Sequence, residues 1–146
     1  MLYKPEYFSL DEMVCPHVYS VYGHIAWQFF SPRLIITLDV LRKHFEKPIY
    51  VNNWQIHGQF SQRGFRCIQC ELVKKAVREK RMYVSPHMTG QGADFDVKGM
   101  TAEEVREWIV ANSNLLPYPI RLENNVSWVH LDVRDANKEK VYLFNP

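Results

Sequence analysis

The stretch SPHMTGQGAD, which runs from Ser85 to Asp94, places an imidazole and a carboxylate seven residues apart. Both groups, those of His87 and Asp94, are ordinary ligands for Zn²⁺. They can converge if a glycine-bearing loop turns the chain back and delivers the aspartate on a strand. Gly90 and Gly92 supply that freedom, because glycine reaches backbone angles that other residues avoid. The pattern therefore predicts a metal site built from a loop and a strand.

A third ligand is offered by His130, which lies in the otherwise apolar segment 126–133. Alternate side chains of a strand share a face, so His130 and Asp132 would point the same way. Three protein ligands leave the fourth tetrahedral position of zinc to water, which is the arrangement of a catalytic site. Asp96, two residues beyond Asp94, is an alternative ligand. By spacing alone, a turn into a strand and an ordinary strand histidine explain these residues as well.

The pattern SxHxxGxAxD, followed by WxH near the end of the sequence, resembles the zinc D-Ala-D-Ala carboxypeptidases. These share a metal-site fold with D,D-dipeptidases, phage endolysins of the L-alanyl-D-glutamate type, lysostaphin-like enzymes and the hedgehog signalling domain. The resemblance covers roughly residues 30–135, and Gly92 stands in the position of the motif's alanine. It implies a zinc peptidase whose metal ligands are His87, Asp94 and His130.

The resemblance implies hydrolysis of a peptide bond near D-alanine or in a cell-wall stem peptide, by a water that the metal activates. The family's general base is commonly a glutamate a few residues before the last histidine, but Ser127 stands three before His130. Glu123 is therefore our first candidate for the base and Asp132 the second. A two-residue turn at positions 124–125 would leave Glu123 about 13 Å along the strand from the histidine. A solvated turn carboxylate is the competing interpretation of Glu123.

Two further residues would bind the substrate, a peptidoglycan peptide or D-alanyl peptide. Arg66 would hold its terminal carboxylate or the oxyanion, because a planar guanidinium matches carboxylate geometry. Ser85 would form a hydrogen bond with the substrate or with the metal loop. A surface arginine at a helix start and a simple serine turn are the alternative interpretations.

Helices and strands that could position these residues are visible as hydrophobic periodicity and capping signals. Three helices precede or interrupt a set of short strands, which predicts an α+β domain over residues 1–146. We expect a small, mostly antiparallel sheet that carries the zinc site, with the helices packed on it. The predicted helices cover 31–47, 67–80 and 101–112, and the predicted strands cover 49–52, 93–97, 120–123, 126–133 and 141–144.

Three cysteines, an odd number, argue against a disulfide framework. Cys67 and Cys70 form a CxxC pair and Cys15 lies beside His17, so a structural zinc site of the Cys₃His type can be imagined. Free cysteines are also common small core residues, and Cys67 to Cys70 opens a helical pattern. The sequence favours this second interpretation.

Composition excludes several classes of protein. The 146 residues are 47% hydrophobic and 23% charged, which is ordinary globular usage, and the net charge of +2 is too small to predict binding to nucleic acid. No apolar run approaches the roughly 18 residues of a membrane helix, and the start lacks the pattern of a secretory signal. We expect a monomer made in the cytoplasm, which acts on the wall after lysis or as part of a virion. A zinc-binding module without catalysis is the alternative function.

Overall fold

The computed structural model of the chain describes residues 3–134 and 139–146, and these form the α+β fold that the sequence predicts. The strands form one sheet, and a connected core of buried apolar side chains joins the sheet to the helices. No helix in these described ranges has the length and apolar character needed to cross a membrane. The helices are α1 Leu10–Met13, α2 Pro16–Tyr22, α3 Pro32–Phe45, α4 Glu71–Arg78 and α5 Ala102–Ala111; the strands are β1 Ile49–Tyr50, β2 Gly92–Val97, β3 Ile120–Glu123, β4 Val129–Asp132 and β5 Val141–Phe144; and 3₁₀ helices span Gly23–Phe29, Trp54–Ile56 and Ser113–Leu115.

The sheet is mostly antiparallel, which confirms the prediction. Its strand order is β1-β2-β4-β3-β5, and β3 and β5 form the parallel pair. The register places Asp94 of β2 directly opposite His130 of β4. It also places Arg121 of β3 opposite Asp132 of β4. Since directly opposite side chains share a face of the sheet, two strands far apart in sequence deliver two of the predicted ligands together.

The β3–β4 connection differs from the predicted two-residue turn. β4 begins at Val129 rather than at 126, so residues 124–128 form a five-residue loop in which Asn125 has a positive φ of 59°. Buried Arg106 of α5 is the physical reason: its guanidinium donates to the carbonyls of Val126 and Trp128, both at 3.0 Å. These carbonyls therefore bind Arg106 instead of extending the hydrogen bonding of the strands.

Helix α3 contributes a row of periodic apolar side chains to the hydrophobic core. It begins at Pro32 as predicted, and its four periodic apolar residues are all buried. The buried carboxylate of Asp39 accepts hydrogen bonds from the Tyr3 hydroxyl and from two backbone amides of residues 6 and 7. The same helix therefore fixes the start of the described chain. The four periodic residues are Leu34, Leu38, Leu41 and Phe45.

Helix α4 begins later than predicted, at Glu71 instead of 67. Residues 67–70 form a turn that precedes the helix. Val73 and Ala76 face the core, whereas Leu72 is 44% exposed. The helix starts directly after Cys70. Hydrophobic periodicity alone does not locate that start.

The N-terminal helices α1 and α2 and the 3₁₀ helix after them are short, since each spans about two turns or fewer. They are too short to show hydrophobic periodicity in the sequence. They pack on one another and on the segment that precedes α4. The carbonyl of Met13 accepts a hydrogen bond from the Phe65 amide at 2.8 Å, and the Cys15 amide donates to the Phe65 carbonyl at 3.2 Å. This bridge joins the N-terminal helices to the middle of the chain.

Gly90, in the loop before β2, meets the expectation that glycine is needed there. Its φ is +68°, and a Cβ on this residue would lie 1.9 Å from the carbonyl oxygen of Phe29. Its own carbonyl accepts a hydrogen bond from the Ser31 amide at 2.9 Å. The loop that carries His87 is thus packed directly against the start of α3.

Gly90→Ala should lower the free energy of unfolding by about 2–5 kcal/mol, because left-handed strain and overpacking act together. Gly99→Ala is the matched control, since Gly99 has a φ of +74° but no heavy atom within 4 Å of the added methyl group. We expect the control to cost only about 1–2 kcal/mol. Urea unfolding curves measure both values, and equal losses would contradict the close packing at Gly90.

Candidate metal centre

The three residues predicted as ligands lie together. Ligand atoms of His87, Asp94 and His130 are all within 4.8 Å of one another, and the three residues are buried. Strands β2 and β4 supply the aspartate and one histidine by their register. The loop before β2 supplies the other histidine. The set of two imidazoles and one carboxylate can hold a metal ion.

His87 is oriented by a backbone carbonyl. Its Nδ1 lies 2.9 Å from the oxygen of Gly64, which can only accept, so Nδ1 carries the proton and donates. Burial lowers the pKa of His87, which favours the neutral ring. Nε2 then presents a lone pair, 3.3 Å from Oδ1 of Asp94. Two acceptor atoms that face each other at this distance are suited to share a cation, and an orienting bond on the far nitrogen is typical of metal-bound histidine.

Asp94 is held as an anion between three partners. Oδ1 lies 2.7 Å from Nδ1 of His130, and Oδ2 accepts a hydrogen bond from Nη2 of Arg66 at 3.0 Å. Burial acts to raise the pKa of this carboxyl, but the hydrogen bond with His130 holds the pKa well below its usual range. A carboxylate in this state is ready to act as a ligand without losing a proton.

His130 lies between two carboxylates. Its Nδ1 faces Asp94, and its Nε2 is 3.2 Å from Oδ2 of Asp132. Burial acts to lower the pKa of His130, but hydrogen bonds with Asp132 and Asp94 raise it to about 9. Asp132 is fully buried and also accepts two hydrogen bonds from Arg121, both at 2.8 Å. This carboxylate therefore orients the imidazole so that Nδ1 points toward Asp94.

The His87–Asp94 distance fits a tetrahedral ion, whereas the His130–Asp94 distance is too short for one. Metal–nitrogen and metal–oxygen bonds of about 2.0–2.2 Å place neighbouring ligand atoms about 3.3–3.5 Å apart. The His87–Asp94 separation is 3.3 Å, whereas the His130–Asp94 separation of 2.7 Å has the length of a hydrogen bond. A metal ion between the second pair would replace the shared proton and widen this edge.

Asp96, the alternative ligand, lies outside this group. Its carboxylate accepts a hydrogen bond from Nη1 of Arg63 at 2.7 Å and is about half exposed. The residue at the motif's own position, Asp94, is the one that the strand directs toward the two histidines.

Arg66 and Ser85 both line the cleft over the three ligands. The Arg66 guanidinium is already engaged, since it donates to Asp94 and, at 2.8 Å, to the hydroxyl of Tyr83. Ser85 forms the serine turn that was its alternative interpretation, and its Oγ accepts from the His87 amide at 3.2 Å. Both residues hold the metal loop in place, and contact of either with a substrate stays a prediction.

Glu123 lies closer to the centre than a two-residue turn would allow. The β3–β4 register pairs Arg121 with Asp132 and Leu122 with Leu131, so its next step places Glu123 beside His130. Glu123 lines the same cleft of about 240 Å³ as the three ligands. The longer loop removes the 13 Å separation that the predicted turn would impose.

A larger groove adjoins the centre. Its volume is about 530 Å³, and it shares Arg66 and Asp94 with the cleft over the metal ligands. One wall is the loop 59–63, part of the long polar and aromatic segment after β1, and Trp128 forms part of the other wall. The groove has the size of a site for a small molecule or short peptide.

Sequence reasoning missed several residues that shape the site. Arg121 donates to the carboxylate of Asp132, and Arg106 donates to the carbonyls of Val126 and Trp128. Neither arginine belongs to a motif. Arg134 lines the cleft, and its position two residues after Asp132 is a signal that strand alternation could have used. The Gly64 carbonyl carries no side-chain signal at all.

Comparison with models of known families, with curated proteins and with solved structures found no match for this chain.

His87→Ala should remove one equivalent of bound metal per chain, because two remaining ligands hold an ion weakly. Equilibrium dialysis against Zn²⁺, followed by elemental analysis, measures the change. His57→Ala is the control, since His57 is exposed and lies outside the ligand group. An unchanged metal content in His87→Ala would place the metal elsewhere.

Asp132→Asn should weaken metal binding at this centre by about 10–100-fold, because His130 loses the anion that orients it. Competition with a chelator gives the affinity, and circular dichroism checks that the variant folds. Asp96→Asn is the matched control on the neighbouring strand, and its affinity should equal that of the unmodified protein. Equal affinities in both variants would show that Asp132 does not act on the metal.

Proposed function

We propose that this chain is a zinc-dependent peptidase that cleaves peptidoglycan stem peptides or D-alanyl peptides. The observation that carries the proposal is a buried set of three ligands that opens on a cleft lined by a carboxylate, Glu123. Three ligands leave a coordination position for water, as catalytic zinc sites do. The motif SxHxxGxAxD with WxH supports this class of enzyme and substrate.

His87, Asp94 and His130 would hold the zinc ion. Bound zinc lowers the pKa of its water and polarises the carbonyl of the scissile bond. The donor set favours zinc, since imidazole nitrogen and carboxylate oxygen are both among its usual ligands. The hydrogen bonds that His87 donates to the Gly64 carbonyl and His130 donates to Asp132 keep each imidazole in the tautomer that binding requires.

Glu123 is the better placed of the two candidates for the general base. It lines the cleft beside His130, so its carboxylate is accessible from the space where a water would lie. The base takes a proton from the attacking water and passes it to the leaving amine. Asp132 is fully buried, and its oxygens are occupied by Arg121 and His130. Its role in the proposal is to orient His130.

Recognition of the peptide falls to the groove and to a cation in the adjoining metal cleft. Arg66 is committed to Asp94 and Tyr83, whereas Arg134, the other arginine that lines the cleft, makes a longer contact of 3.6 Å with Asp132. We assign to Arg134 the contact with the substrate's carboxylate and to Arg66 the support of the ligand Asp94. Trp128, 40% exposed and shared by cleft and groove, offers an apolar surface to the peptide.

The protein loaded with zinc should release peptides from purified peptidoglycan, and mass spectrometry of the products would identify the bond. Zinc bound at the centre with no cleavage of wall or D-alanyl peptides would favour the alternative, a zinc-binding module without catalysis.

Glu123→Gln should reduce kcat by about 10²–10⁴-fold, because an amide cannot take the water's proton. Its zinc content should stay that of the unmodified protein, since Glu123 is not among the ligands. Glu107→Gln on the exposed face of α5 is the control, and its activity should be unchanged. Full activity in Glu123→Gln would assign the base to another group.

A further inference from the structure

A second group of metal-ligating side chains lies outside the centre described above. Cys15, His17, Cys67 and Cys70 come from two distant parts of the chain, and their ligand atoms all lie within 4.8 Å of one another. Sγ of Cys67 is 3.7 Å from Sγ of Cys15 and 3.7 Å from Nδ1 of His17. Sγ of Cys70 is 3.9 Å from the same Nδ1.

These separations match the edges of a zinc tetrahedron. Zinc–sulfur bonds of about 2.3 Å and zinc–nitrogen bonds of about 2.0–2.1 Å give sulfur–sulfur edges of about 3.8 Å and sulfur–nitrogen edges of about 3.6 Å. All three thiols are free, so no disulfide accounts for their approach. Burial as small core residues explains Cys15 and Cys70, but it does not explain why an imidazole nitrogen joins three sulfurs at one point.

We propose that Cys15, His17, Cys67 and Cys70 bind a structural Zn²⁺ ion, separate from the centre formed by His87, Asp94 and His130. Four protein ligands fill the tetrahedron and leave no position for water, which defines a structural site. The ligands bind as thiolates and a neutral imidazole, so binding releases the thiol protons to solvent.

A backbone donor and a helix N-terminus lie beside two of the thiols. The amide of Gln69 donates to Sγ of Cys67 at 3.3 Å, and such a bond stabilises a thiolate. Cys70 is the N-cap residue of α4, where the helix dipole favours negative charge.

The position of this site indicates which parts of the chain the ion would join. Cys15 lies between α1 and α2, whereas Cys67 and Cys70 lie just before α4. Between the two cysteine-bearing parts runs the backbone bridge of Phe65 with residues 13 and 15. The ion would fasten the N-terminal helices to the segment 63–70. That segment carries the Gly64 carbonyl and the Arg66 side chain, which hold the ligands of the first centre.

Cobalt substitution distinguishes the two sites in one measurement. Co²⁺ bound to thiolates gives an intense near-ultraviolet charge-transfer absorption, and the first centre has no sulfur ligand. We expect two metal equivalents per chain and this absorption in the unmodified protein. Cys67→Ser and His17→Ala should each lose the absorption and one equivalent. His24→Ala, an exposed histidine near the same helices, is the matched control and should keep both.

A measurement on the unmodified protein covers the case in which those variants fail to fold. Thiol-reactive dye should label Cys67, the partly exposed thiol, slowly in the zinc-loaded protein, and a strong chelator should raise its labelling rate at least tenfold. His87→Ala should retain the charge-transfer absorption, so failure of the first centre leaves this proposal intact. One metal per chain without the absorption, or a Cys67 thiol that reacts at the same rate with and without chelator, would overturn the structural zinc site.

Discussion

The candidate metal centre depends on four hydrogen bonds made by a single segment, residues 63–66. The carbonyls of residues 63 and 64 accept from the Asp94 amide at 2.7 Å and from Nδ1 of His87 at 2.9 Å. The Arg66 amide donates to the His87 carbonyl at 3.0 Å, and its guanidinium donates to Oδ2 of Asp94 at 3.0 Å. Two ligands are therefore fixed by one strip of backbone, and any displacement of that strip moves both. The proposed structural zinc would hold the same strip in place, so it would stabilise the first centre without contributing a ligand to it.

Alternating positive and negative side chains stabilise this buried group of charges. From Arg66 the contacts run to Asp94, then His130, then Asp132 and finally Arg121. Each buried anion lies between donors, so the desolvation cost of the carboxylates is offset by close partners on both sides. The sheet makes this order possible, because the register sets Asp94 beside His130 and Asp132 beside Arg121. Removal of one member leaves a buried charge without its partner, a more costly change than removal of the whole pair.

Much of the fold was accessible from the sequence where the signals are local. The capping box at Thr101, the proline start of α3 and the apolar strands of the second half all predict elements that the structure contains. Boundaries failed where a distant contact decides them. β4 is shortened because Arg106 of α5 binds the carbonyls of the preceding loop. The helical pattern of apolar residues runs through both the turn at Cys67 to Cys70 and α4. It therefore does not mark Glu71 as the start of the helix.

By itself, the sequence determined which side chains could hold a metal, because residue type limits the candidates. It offered His87, Asp94 and His130, with Asp96 as an alternative, and a disfavoured second set of three cysteines and His17. Only the tertiary structure decided the convergence of His17 with three cysteines, since that approach depends on how two distant parts of the chain pack. It also decided the role of each neighbour: strand register, set by pairing between remote segments, places Glu123 beside the centre and buries Asp132 behind it. The spacing of residues in the sequence predicts local geometry. The surroundings of each side chain, which decide its role, depend on packing between residues far apart in the sequence.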